Sequence, residues 1–107
     1  MLFRSQGGSS LRVGTIRIDK KNMGVYRGDR PVELSKREYE LLVFLADHPE
    51  EIFTREELMD RVWNFEYYGD LRTVDVTVRR LREKIEENPA EPATILTKRG
   101  AGYYLHN

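Results

Sequence analysis

The sequence predicts an α+β domain: a small N-terminal antiparallel sheet, three helices and a C-terminal β-hairpin. Three observations carry that prediction. Short β-branched runs punctuated by Gly, Asn and Asp fill the first third. Two capping boxes and an aspartate cap then open helical patterns. A final pair of apolar runs flanks a glycine-rich turn.

In the first third, Val13, Ile16 and Ile18 lie among polar neighbours, and Val25-Tyr26 follows the turn-prone Lys21-Asn22. Gly28-Asp29 separates Val25-Tyr26-Arg27 from Pro31-Val32-Glu33-Leu34. Residues 1–10 contain Gly7-Gly8-Ser9-Ser10 and no apolar stretch. They are expected to be a linker or cloning remnant, leaving 11–107 as the folded domain.

Ser35-Lys36-Arg37-Glu38 is a capping box, and the helix it opens is expected to stop near His48-Pro49. Tyr39, Leu42, Val43 and Ala46 share one face while Leu41, Phe44 and Leu45 cover most of the other, so this helix is buried on two sides. Thr54-Arg55-Glu56-Glu57 opens a second, short helix with Leu58, Met59 and Val62 inward, ending about Trp63. A loop from Asn64 to Leu71 follows. Asp70 then caps a third helix expected over about 71–87, stopped by Asn88-Pro89. Thr94 to Thr97 and Gly102 to Leu105, joined by Lys98-Arg99-Gly100-Ala101, read as a hairpin over about 94–105. Sheet, three helices, hairpin: that order is a winged helix-turn-helix.

The third helix carries the chemistry. On a helical wheel Val74, Val78, Leu81 and Ile85 form the inward stripe. Thr73, Val76, Thr77 and Arg80 fall on the outer side, joined by Lys84 and flanked by Arg72 and Arg79, with Arg82 nearer the core edge. Small residues early in the helix permit close approach to base edges, and Val76 or Thr77 can meet a thymine methyl. Arg80 can form the bidentate contact to guanine while neighbouring arginines reach phosphates. The bland alternative is a solvated face whose bases merely complement the helix dipole. Val76 and two threonines interrupting the charged face tilt the balance toward reading. Asp75, near the core edge, is expected to pair with Arg79 or Arg82.

Charge distribution agrees. The formal net charge is zero, yet Arg72 to Lys84 holds five bases against two acids, and Lys98 and Arg99 add two more. Glu38 to Asp60 holds eight acids and one base. A neutral chain is thus a basic patch beside an acidic remainder, and partner electrostatics follow the patch.

Other functions find little support. There is no cysteine, so disulfides and thiolate metal sites are excluded, and a reducing cytoplasm is the expected setting. His48 and His106 lack partners at ligand or triad spacing and read as surface residues, so neither an enzyme nor a cofactor or metal is expected. The longest apolar run, Leu41 to Ala46, is far too short to span a membrane. A winged helix that binds only protein calls for an apolar or mixed outer face on the third helix, which the arginine cluster disfavours, and side chains cannot read the deep major groove of A-form RNA. Gly100-Ala101-Gly102 is a hairpin turn rather than a phosphate cradle, because no helix follows it.

Asp70 through Ile85 also resembles the recognition-helix signature of OmpR/PhoB-type response regulators, and Thr94 through Tyr104 resembles their wing around Arg99-Gly100-Ala101-Gly102-Tyr103. Leu34 to Glu40 and Thr54 to Trp63 match the family's first two helices, so the resemblance covers about residues 11–107. It implies transcription regulation through duplex DNA, with pairing of a second copy head-to-tail on direct repeats. Carried over by position, it places Thr73, Val76, Thr77 and Arg80 at bases and Arg99 in the minor groove. It places Trp63, Arg72, Arg79, Arg82, Thr97 and Tyr103 at backbone phosphates, although Trp63 also reads as core. Tyr103 and Tyr104 alternate across a strand, so one is core and one reaches DNA. Tyr67 and Tyr68 in the loop after the second helix correspond to a surface that touches RNA polymerase, while Phe65 is expected to pack back. The family's receiver domain, through which a sensor kinase acts, does not fit in ten linker-like residues and is expected to lie outside this chain.

Overall fold

The computed structural model describes residues 10–64 and 70–107. Four strands form an antiparallel meander in sequence order: β1 (Ser10–Val13), β2 (Ile16–Asp19), β3 (Gly24–Arg27) and β4 (Arg30–Pro31). Strand β1 starts one residue inside the segment expected to be linker, with Ser10 opposite Asp19. Alternation decides the faces. Ile16 and Ile18 are buried with Val13 and Val25, while Arg17 turns outward and covers the ring of its cross-strand partner Tyr26 at 4.3 Å. Strand β4 is shorter than its apolar run suggested. Val32 still donates its amide to the Val25 carbonyl at 2.8 Å, beyond the last paired residue.

Both capping boxes close. Ser35 Oγ accepts the Glu38 amide at 3.1 Å and Glu38 Oε1 accepts the Ser35 amide at 2.9 Å, opening α1 (Lys36–Asp47). Thr54 and Glu57 repeat the exchange at 3.0 and 2.8 Å, opening α2 (Arg55–Arg61). Helix α1 is the central element: Leu41, Leu42 and Leu45 are fully buried, each contributing about 1.5–3 kcal/mol. Its end is fixed by Lys20, from the β2–β3 turn, which pairs with Asp47 at 2.7 Å. His48 departs from the surface placement expected of it. It is half-buried, bonded through Nδ1 to the Phe44 carbonyl at 2.9 Å, and packed against the rings of Phe44 and Phe53, edge-on to the latter.

Helix α3 (Arg72–Ile85) packs on α1 and α2 through Val74, Val78, Leu81 and Ile85, all buried. That is the stripe its periodicity gives. It is shorter than the expected 71–87 at both ends. Asp70 takes the Arg72 amide at 2.8 Å rather than capping a later one, and Leu71 occupies the cap position. Glu86 leaves the helix with extended backbone.

The wing is β5 (Ile95–Lys98) paired antiparallel with β6 (Gly102–Leu105). It is not a free hairpin. Phe53 and Tyr103 exchange backbone hydrogen bonds at 2.9 Å in each direction, tying β6 to the segment between α1 and α2. This contact explains Gly102, whose φ is 145° and whose added Cβ would fall 1.9 Å from the Phe53 carbonyl oxygen. Among the described residues no helix is long and apolar enough to cross a membrane. Nor, among them, do three or more His, Cys, Asp or Glu side chains lie close enough to hold a metal ion.

Candidate nucleic-acid interface

The inward stripe of α3 leaves its opposite side uncovered. Val76 is 43% exposed, a large apolar side chain facing outward in the middle of a charged strip. Thr73 and Thr77, one turn apart, flank it and are half-buried. The Thr77 hydroxyl donates to the Thr73 carbonyl at 2.8 Å, which fixes its rotamer. Arg80 is exposed on the same strip, and among the described residues it has no ion-pair partner. Thr73, Val76, Thr77 and Arg80 are therefore brought together on one accessible face.

The flanking bases differ in freedom. The Arg79 side chain is 82% exposed, with Glu83 only at the 3.9 Å limit of an ion pair. Arg72 is 80% exposed but donates through Nε to Asp70 at 2.7 Å. The Arg72 amide and then its side chain hold the Asp70 carboxyl below its ordinary value. Lys84, placed on the outer strip by the wheel, instead reaches back to Glu38 at 2.6 Å and does not extend the basic patch.

Arg82 faces the wing rather than open solvent. Its Nε donates to the Ile95 carbonyl at 2.9 Å and its Nη2 to Thr97 Oγ1 at 2.8 Å. Thr97 itself remains exposed, as do Lys98 and Arg99 at the turn. Among the described residues Arg99 has no ion-pair partner. The positive φ of Gly100, 77°, lets this tight turn carry it outward.

Burial and pairing bear on three of the expected placements. Trp63 is only 4% exposed and packs in the core, with the Arg37 guanidinium 5.5 Å over its ring. Tyr103 is the inward tyrosine of its pair: it packs on the core and its hydroxyl donates to Asp75 at 2.5 Å. Burial and that hydrogen bond push its hydroxyl up to about 12. Asp75 pairs with neither Arg79 nor Arg82. Its second oxygen accepts from Arg55 of α2 at 3.2 Å. Phe65, Tyr67 and Tyr68 lie outside the described residues.

Two buried carboxylates had no sequence signal as tertiary groups. Glu38 serves its capping box and also receives Lys84. Burial alone would raise its carboxyl, yet Lys84 and the Ser35 amide together hold it below the ordinary 4.5. Glu86 accepts the amides of Ala93 at 3.0 Å, Thr94 at 3.0 Å and Ile95 at 2.8 Å, while its own carbonyl accepts from Arg27 at 3.1 Å.

Residues 29–105 match the family model described as transcriptional regulatory protein, C terminal. Among solved structures, the chain is similar to DrrB, a response regulator and OmpR/PhoB homologue from Thermotoga maritima. The identity is 32% and the TM-score 0.86, over 92% of this chain and 45% of DrrB. This chain therefore spans under half the length of that protein. It is also similar to the Klebsiella pneumoniae RstA DNA-binding domain, solved in complex with the RstA box: 35% identity and TM-score 0.81, over 91% of this chain and 96% of that one. A third likeness is to the DNA-binding domain of response regulator AdeR in complex with an intercistronic region. There the identity is 34% and the TM-score 0.77, over 90% of this chain and 98% of that one. With the winged-helix architecture and the exposed strip of α3 in place, the chain belongs to the C-terminal domains of OmpR/PhoB-type transcriptional regulatory proteins.

Proposed function

We propose that this domain binds duplex DNA sequence-specifically and regulates transcription as the effector end of a two-component response regulator. One observation carries the reading: the outer strip of α3 is uncovered, with Val76 and Arg80 exposed between flanking arginines. The RstA and AdeR domains, solved on DNA, support it by likeness.

Helix α3 lies in the major groove. Thr73, Val76 and Thr77 approach base edges, and Arg80 makes the bidentate contact to guanine. Arg72, Arg79 and Thr97 reach backbone phosphates, and Arg99 enters the adjacent minor groove from the wing. Trp63, Arg82 and Tyr103 serve by packing and positioning, since each is turned toward the protein. Two copies bind head-to-tail on direct repeats about one DNA turn apart. Tyr67 and Tyr68 offer a contact to RNA polymerase. A receiver domain elsewhere in the protein couples the domain to a sensor kinase, and the setting is the cytoplasm. Tyr68-Gly69-Asp70 before the recognition helix, and Gly102-Tyr103-Tyr104 at the wing, favour a WalR (YycF)-type regulator.

Selection from a random duplex pool tests this directly. The expected outcome is one enriched motif containing a guanine whose identity depends on Arg80. Recovery of no motif contradicts the reading and favours a winged helix that binds protein alone.

A further inference from the structure

A carboxylate on a helix that faces a polyanion is repelled unless it is spoken for. Asp75 sits half-buried on the flank of α3 and takes two donors, Arg55 from α2 at 3.2 Å and the Tyr103 hydroxyl from β6 at 2.5 Å. The Tyr103 ring lies 5.7 Å from the Arg82 guanidinium, which in turn donates to the Ile95 carbonyl and Thr97 hydroxyl of β5. Arg55, Asp75, Tyr103 and Arg82 thus form one continuous run touching α2, α3 and both wing strands.

We propose that this run is a clamp that fixes the wing relative to α3, so that Arg99 and Arg80 reach their two grooves as one rigid body. Asp75 and Tyr103 are its positioning residues. The inference rests on the DNA-binding reading above. A two-stranded hairpin is marginally stable by itself, and a swinging wing would lose its freedom only on binding, at the expense of affinity. The Phe53 bridge holds the backbone of β6, and the clamp adds the side-chain tie to α3 that orders the wing beforehand. Arg55 also neutralises the charge that Asp75 would otherwise present to phosphates.

A double-mutant cycle tests the clamp on the duplex that the wild-type protein selects from a random pool. Arg99→Ala is expected to weaken binding about tenfold in the wild-type background but about twofold or less in Tyr103→Phe. Asp75→Asn keeps an oxygen for the Tyr103 hydroxyl and should preserve the full Arg99 effect, whereas Asp75→Ala should abolish it. Equal losses in all backgrounds overturn the proposal. In the free protein, the Phe53 and Tyr103 amides that bridge wing and body should exchange about tenfold faster in Tyr103→Phe, with the Val78 amide unchanged. Unchanged bridge exchange overturns the clamp. If the wild-type protein selects no duplex, the DNA-binding reading fails by itself, and the exchange rates still decide the clamp.

Discussion

The buried Glu86 carboxylate accepts the Ile95 amide at 2.8 Å, and with it the end of α3 fixes where the wing begins. Glu86 leaves the helix with extended backbone, which turns its side chain onto three successive amides, those of Ala93, Thr94 and Ile95. Arg27 holds the same residue from the sheet side through the Glu86 carbonyl. One residue therefore joins the N-terminal sheet, α3 and the wing.

Glu86→Ala should destabilise the domain by about 2–4 kcal/mol, because three amides lose a charged acceptor in a site with little water. Glu86→Gln should recover only part of this loss, since its amide group presents donors to donors. Urea denaturation of the three proteins measures the difference. A loss below about 0.5 kcal/mol for the alanine variant would show that water replaces the carboxylate without strain.

Much of this was legible from local pattern alone. Ser35 with Glu38, and Thr54 with Glu57, carry their geometry within four residues, so both helix starts follow from spacing. The Val74, Val78, Leu81, Ile85 stripe follows from period, and with it the exposed strip of Thr73, Val76, Thr77 and Arg80. Partner choice was not legible. A wheel places Asp75 near Arg79 and Arg82 but carries no information about Arg55, which lies 20 residues away on another helix. It places Lys84 on the outer side, whereas a flexible four-carbon stem lets the ammonium return to Glu38. Family position alone places Trp63 and Tyr103 near backbone phosphates. Their burial is set by Arg37, Asp75 and the Phe53 bridge, all long-range contacts.

The Glu38–Lys84 pair gives the domain a defined acid dependence. The folded Glu38 carboxyl lies below its ordinary 4.5, so its contribution is present above that value and is lost as pH falls through the lowered one. Lys84→Met should lower stability at neutral pH by about 1–2 kcal/mol, because it leaves a buried carboxylate unpaired, with solvent screening at the exposed ammonium moderating the loss. The gap between variant and wild type should close as pH drops from neutral to below 4.5. Denaturation midpoints measured across that range check the sign, and a gap that widened on acidification would contradict the assigned shift.

Arg80 and Arg79 are adjacent and both exposed, yet they should behave differently. Arg80→Ala is expected to cost about 1–3 kcal/mol on the selected site and to blur specificity at one base pair. Arg79→Ala should weaken selected and scrambled duplexes alike, because a phosphate contact carries no sequence information. Binding isotherms for both variants on both duplexes decide it. Identical behaviour would remove the division between base reading and backbone contact.

The uncovered face of α3 and the wing tip are expected to meet a polyanion, and the salt dependence of duplex binding tests this most directly. If Arg72 and Arg79 at the phosphates, together with Lys98 and Arg99 at the wing tip, displace about four counterions, the logarithm of the association constant should fall against the logarithm of salt concentration with a slope of about −3 to −4. Arg79→Ala should make that slope shallower by about one. A flat titration, or one that Arg79→Ala leaves unchanged, would contradict the account.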